Sequence, residues 1–196
     1  MKNVGAFCIL CVVLPVFLSG CAINVTSRVA TRLDLADMNT RLETGPTDLS
    51  VGGECPGTKS LKIVNGEMRT DKYCIDQALG GCRLYIIPKD FTDHVVKYME
   101  DKLRASNIKV HEGLDNEIII SLEEIKSQEG LWSFGSFCKI KVQIPEINYT
   151  NTYVGESGSG IADLAAAYAI HLSIDNFFKD PVFQSYVRCK QQSGSL

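Results

Sequence analysis

Residues 137–144 read FCKIKVQI, and their alternation decides the fold class. Cys138, Ile140, Val142 and Ile144 fall on one side of an extended chain, and Lys139, Lys141 and Gln143 on the other. A strand of this period sets one face against a core and the other in water, as in an antiparallel sheet covered on one side. Upstream, residues 116–126 (NEIIISLEEIK) repeat the pattern with Ile118, Ile120 and Leu122. Downstream, residues 147–154 carry Tyr149 and Tyr153. Three shorter strands are expected before these. Leu61 and Ile63 alternate ahead of the turn signal Asn65-Gly66, RLYII at 83–87 stops at Pro88, and residues 107–110 return to the sheet.

Two helices complete the layer. Phe91, Val95, Val96, Tyr98, Met99 and Leu103 make one stripe of an amphipathic helix that starts with Asp90 as its cap. Asp93, His94, Lys97, Glu100, Asp101 and Arg104 take its other face, so His94 reads as a solvated residue. The second helix, residues 161–178, is apolar nearly all round and stops at Asp180-Pro181. Such a helix is buried on both sides. Residues 22–58 or a partner must cover its outer side, and cover from within the chain is the favoured reading. A last short helix or turn spans 182–187. The expected architecture is α+β: a two-layer sandwich with a mostly antiparallel sheet of four to six strands and two main helices packed on one face.

The 196 residues suit one domain with appendages. Twenty Lys and Arg against 23 Asp and Glu give a net charge of −3, which argues against a nucleic-acid partner. Much of the 45% hydrophobic content sits at the start of the chain. Lys2 precedes the apolar run of residues 4–18, which Pro15 interrupts and which is too short to span a bilayer. This is the pattern of a signal peptide. Residues 1–20 are therefore expected to be removed, residues 21–58 to form an anchor and tether arm, and residues 59–196 to form the folded body. Within the arm, residues 29–42 fit a strand and a helix equally.

Eight cysteines are many for a reduced compartment. Cys8 and Cys11 leave with the signal. Cys55, Cys74, Cys82, Cys138 and Cys189 are candidates for disulfides, with an odd count among them. One bridge is expected within the Cys55, Cys74 and Cys82 region. A second would join Cys138 to Cys189 and pin the tail to the sheet. The three histidines are scattered and these five cysteines include no Cys-x-x-Cys pair, so no metal or other cofactor is expected.

Residues carrying chemistry are few. The glycine-rich run 155–160 (GESGSG) lacks the Lys-Ser/Thr of a phosphate loop, and reads as a flexible connection into the second helix. Glu123 and Glu124 are neighbours on a strand, so they are expected on opposite faces. His171 reads as a hydrogen-bonded core or interface residue. No catalytic residue and no enzyme activity are expected. The most suggestive stretch is LWSFGSF at 131–137. Trp132, Phe134 and Phe137 form a partner-contact patch if exposed, and plug the end of the core if buried; burial is the favoured reading.

Leu18-Ser19-Gly20-Cys21 resembles the lipobox of bacterial lipoproteins. The resemblance implies cleavage before Cys21, a diacylglycerol thioether on its sulfur, and acylation of the new amino terminus, palmitate included. Ala22 in place of Asp implies, by the same analogy, the outer membrane, with the protein facing the periplasm. The alternative is an ordinary secreted protein with Cys21 in a disulfide, for which Asn24-Val25-Thr26 and Asn148-Tyr149-Thr150 are glycosylation-type sequons. The body, from about Arg83 to Val187, is similar to the small YajG-like envelope lipoproteins of Gram-negative bacteria. Its most telling part is the Ala-rich helix running into Asp180-Pro181. That resemblance implies no established chemistry. The function expected is a membrane-anchored, non-enzymatic protein that binds or supports an envelope protein assembly, with a surface-exposed ligand- or host-binding lipoprotein as the alternative.

Overall fold

The computed structural model describes residues 22–44, 61–78, 81–106, 108–110 and 116–189. Residues 1–20, expected to be a signal peptide, and Cys21, Cys55 and His111 lie outside the described residues. The described chain opens with β1 (Ile23–Asn24), α1 (Thr26–Thr31) and α2 (Leu33–Thr44). Next come β2 (Lys62–Asn65), β3 (Tyr73–Ala78), β4 (Gly81–Ile86) and α3 (Pro88–Ala105). The long strands β5 (Glu117–Glu129), β6 (Phe134–Ile144) and β7 (Tyr149–Ser159) lead into α4 (Ala162–Phe178) and α5 (Pro181–Cys189).

The architecture is an α+β sandwich. Its main sheet has the order β2-β5-β6-β7, antiparallel except that β2 runs parallel to β5. Ile118, Ile120, Leu122, Cys138, Ile140, Val142 and Ile144 are buried on its inner face. Helices α3 and α4 cover that face, and Lys139, Lys141 and Gln143 stay partly in water on the other. The remaining strands form a second sheet, ordered β1-β4-β3, in place of one continuous sheet. Of the strand expected over 107–110, the described residues 108–110 contribute a single bridge, between Leu61 and Val110.

Local chemistry moves several boundaries. Helix α3 begins at Pro88, two residues before Asp90, because proline's fixed φ suits a first helical position that has no N–H partner to lose. The amide of Ile87 just ahead of it donates to Thr26 Oγ1 at 3.0 Å, tying the helix start to the N-terminal segment. The inner phase of β5 slips at a bulge between Leu122 and Glu124, so the next buried residue is Ile125. The extra residue leaves Glu123 and Glu124 both on the outer side, correcting the expectation of opposite faces. Each is held by a lysine: Lys139 lies 3.3 Å from Glu123, and Lys126 pairs with Glu124.

The largest change concerns GESGSG, which is strand to Ser159 and not a connection. Gly155 pairs with Cys138 directly beneath α4. A Cβ at Gly155 would stand 2.0 Å from the Ala169 carbonyl oxygen and 2.7 Å from the Ser173 nitrogen. Glycine here lets the helix lie against the sheet backbone.

Residues 22–44 belong to the body and are not a tether. The segment 29–42 resolves as helix on either side of a turn at Arg32. Val25, Val29, Leu33 and Ala36 are buried against α3 and α4, and Asn39 donates to the Tyr168 hydroxyl at 2.5 Å. The two-sided apolar helix α4 is thus covered from within the chain. Asp180 turns the chain into α5: its carboxylate accepts from the amides of Val182 at 2.7 Å and Phe183 at 3.3 Å. It also accepts from the hydroxyls of Tyr149 at 2.8 Å and Tyr153 at 2.9 Å.

Cys74 and Cys82 form the expected local disulfide, closing the β3–β4 hairpin. A loop this short contributes roughly 2–3 kcal/mol by restricting the unfolded chain. The expected Cys138–Cys189 bridge does not form. Cys138 is a free thiol on the inner face of β6, fully covered by α4, and burial pushes its pKa up to about 12. It is chemically quiet.

Candidate functional site

A groove of about 480 Å³ opens where β1, β4, the start of β6 and the entry to α4 meet. That volume is in the range of ligand and peptide sites. Its wall is apolar: Ile23, Val25, Leu84, Phe134, Ile161 and Ala162. Strand β1 builds one side by pairing parallel to β4, Ile23 opposite Leu84, and the Val25 amide extends the pairing to the Tyr85 carbonyl at 3.0 Å. Ile23 and Ile161 remain half-exposed at the mouth, at 50% and 48%.

Charge frames the groove on two sides. Asp76, 3% exposed, pairs with Arg83 at 2.8 Å, and Arg83 also reaches Glu129 at the end of β5. Asp163, 4% exposed in the first turn of α4, lies 3.0 Å from Arg32 Nε and 3.4 Å from Arg28 Nε. The contacts of Asp163 Oδ2 lack hydrogen-bond alignment, so they act as Coulombic pairs. Its position also suits the positive end of the helix.

Beyond Phe134 the β5–β6 hairpin projects as a four-residue loop, closed by a hydrogen bond from the Gly130 amide to the Ser133 carbonyl at 2.7 Å. Leu131 and Trp132 stand at its apex, each 93% exposed. This overturns the favoured reading of a buried plug. The loop runs past the last paired residues of the sheet, and no element among the described residues covers the two side chains. Arg83 and Glu129 join the hairpin base to β4, so the base adjoins the groove wall.

No protein-family model, curated protein or solved structure matches the chain. The assignment of a site therefore rests on its own geometry.

That geometry separates the three aromatic candidates. Phe134 lines the groove, and Trp132 stands exposed on the loop two residues before it. Phe137 lies on the outer sheet face between Lys126 and Glu156, because it is three residues from Phe134 on a strand of period two. Sequence reading missed Ile23, Ile161, Asp76, Arg83 and Asp163. The Arg28 and Arg32 pair at helical spacing was a usable signal for a buried acid; nothing local marked Asp163 as that acid.

A second, polar cluster joins three helices. Asp37 on α2 accepts from Lys102 on α3 and lies 3.2 Å from Arg41. His171 on α4 shares a 2.8 Å hydrogen bond with the Tyr98 hydroxyl and sits 3.7 Å from Asp37. The adjoining hollow, about 190 Å³, is small for a substrate. The arrangement works as a clamp between α2, α3 and α4, in keeping with the core histidine expected. Among the described residues, no group of three or more His, Cys, Asp or Glu is placed to hold a metal ion.

The clamp gives a pH dependence. Burial lowers the pKa of His171 below its ordinary 6.5, against the opposing pull of Asp37 and Asp175. The unfolded chain takes up its proton near pH 6.5 while the folded chain still holds His171 neutral. Its stability contribution is thus complete above that pH and declines as pH falls through it. The expected slope is at most about 1.4 kcal/mol per pH unit. Urea unfolding of wild type and His171→Gln between neutral and mildly acidic pH checks this; the variant should lose that part of the slope.

Proposed function

We propose that this chain is a lipid-anchored protein of the bacterial envelope, held on the periplasmic side of the outer membrane through Cys21. Its folded body binds or supports a membrane-associated protein assembly and performs no catalysis. The reading is carried by the place of the groove. Cys21 precedes Ile23 by two residues, and Ile23 forms the groove wall. Two residues span at most ~7 Å, so a lipid on Cys21 and the exposed apolar end of the body share one side of the molecule. An apolar surface rimmed by ion pairs is the usual form of an interaction site.

The Cys74–Cys82 disulfide supports an oxidising compartment. No described helix is long and apolar enough to cross a membrane, so attachment by lipid supplies what the described fold does not. Each buried CH₂ adds ~0.8 kcal/mol, and several acyl chains make attachment effectively permanent. The size and apolar wall of the groove also favour a second reading, in which the anchored protein captures a small apolar ligand or a host molecule at the cell surface.

Fractionation of cells tests the anchor. Wild type is expected in the membrane pellet, resistant to high salt. Cys21→Ala is expected to keep its leader uncleaved or to appear without lipid, and in neither case to carry acyl chains. A Cys21→Ala protein with unchanged lipid and membrane partition contradicts the proposal.

A further inference from the structure

We infer that the β5–β6 hairpin apex, Leu131 and Trp132, is a second membrane contact that enters the interfacial layer of the same leaflet that holds the Cys21 lipid. This inference rests on the anchored reading and names the bilayer as the partner of the groove end.

Three observations combine. First, the two side chains are adjacent and 93% exposed at the apex of a hairpin loop closed by the Gly130–Ser133 hydrogen bond, which single surface hydrophobics scattered over a protein do not match. Second, Phe134 at the hairpin base and Ile23 near the anchor line one groove. Trp132 is two residues from Phe134 and Cys21 two from Ile23, each within ~7 Å of a groove residue by chain length. An anchored body therefore has its apex beside the leaflet surface. Third, the pair has the chemistry of the interface. Tryptophan places an apolar ring among acyl chains and its N–H among head groups, while leucine adds buried area.

The position also selects lipid over a protein partner. A lipid on Cys21 holds this end at the bilayer whatever else binds, so the apex meets lipid at very high effective concentration. Ile161 and Ile23, half-exposed at the groove mouth, extend the same apolar end. The basic groups there, Arg28, Arg32 and Arg83, are matched by Asp163, Asp76 and Glu129. Contact should accordingly depend on apolar insertion and depend little on anionic lipid.

Trp132 is the only tryptophan in the chain, so the native protein carries its own reporter. The full-length protein, isolated from membranes, is weighed to establish acylation of Cys21. It is then reconstituted into phosphatidylethanolamine and phosphatidylglycerol vesicles with a fraction of lipid brominated near the glycerol end of the chains. The expected result is a blue shift of Trp132 emission and loss of most of it to brominated lipid, at low and high salt alike. Leu131→Asp should restore a large part of the emission. An acylated protein whose Trp132 emits as in water, without quenching, overturns the apex contact and leaves the anchor standing. A protein without acyl chains on Cys21 overturns both.

Discussion

Replacing Gly155 with alanine is expected to destabilise the protein by about 3 kcal/mol, and replacing it with valine to prevent folding. At an unhindered site Gly→Ala stabilises by roughly 0.4–1 kcal/mol, because the unfolded chain loses freedom. Gly155 reverses the sign. Its new methyl would meet the Ala169 carbonyl and the Ser173 amide, both backbone atoms of α4, which no rotamer change can clear. The helix must lift from β6 and β7, and Ala166, Ala169, Ile170 and Cys138 lose their close contacts. Gly135, where an added methyl meets nothing within 4 Å, is the control. Gly135→Ala should change stability by no more than about 0.5 kcal/mol. Urea midpoints with near-ultraviolet circular dichroism compare the two. Equal behaviour of the two variants would refute the packing of α4 on Gly155.

Phe177→Ala is expected to cost a further class of stability, about 3–5 kcal/mol. Phe177 is fully buried at the end of α4. Its ring centroid lies 4.3 Å from that of Phe183, 5.5 Å from Phe178 and 5.4 Å from Tyr153, the last in an edge-on arrangement. These contacts join α4, α5 and β7 at one point. Truncation leaves a cavity walled by rigid rings, which collapse poorly, so both the transfer and the cavity terms apply. For a chain of this size each kcal/mol lowers the melting temperature by roughly 2–4 °C. The expected fall of about 6–20 °C is read by calorimetry, and Phe177→Leu should recover most of it. A fall of about a degree would show that α5 does not depend on this cluster.

The legible parts of the fold were those where one physical demand acted alone. The alternation of β6 reported its buried side residue by residue, and the stripe of Phe91, Val95, Met99 and Leu103 reported α3. The unbroken apolar character of α4 reported burial on both sides. Errors arose where tertiary contact overrode a local rule. The glycines of GESGSG look like a connection in isolation; Gly155 exists because a helix crosses a strand at that residue. Glu123 and Glu124 share a face because of a bulge, and strict period two cannot carry that information. Residues 29–42 were ambiguous because Val29 on α1 and Leu33 and Ala36 on α2 pack on helices far along the chain, α3 and α4.

The candidate site was legible only in part. The resemblance of residues 18–21 to a lipobox and the aromatic run were local and visible. Burial of the run was the favoured reading, since aromatic residues in loops commonly pack; here the loop projects past the sheet ends and only Phe134 turns back into the groove. The convergence of Ile23, Phe134 and Ile161 depends on the parallel pairing of β1 with β4, which no short stretch of sequence announces. The acids Asp76 and Asp163 are buried by the same convergence and were invisible for the same reason.

Acylation of Cys21 underlies both the proposed anchor and the proposed apex contact. The direct measurement is the intact mass, with amino-terminal fragmentation, of the protein extracted from membranes of the cells that produce it. The proposal predicts a chain that begins at Cys21 and carries a diacylglycerol thioether together with an acyl group on the new amino terminus. A chain that begins elsewhere, or a Cys21 found unmodified or in a disulfide, would contradict it.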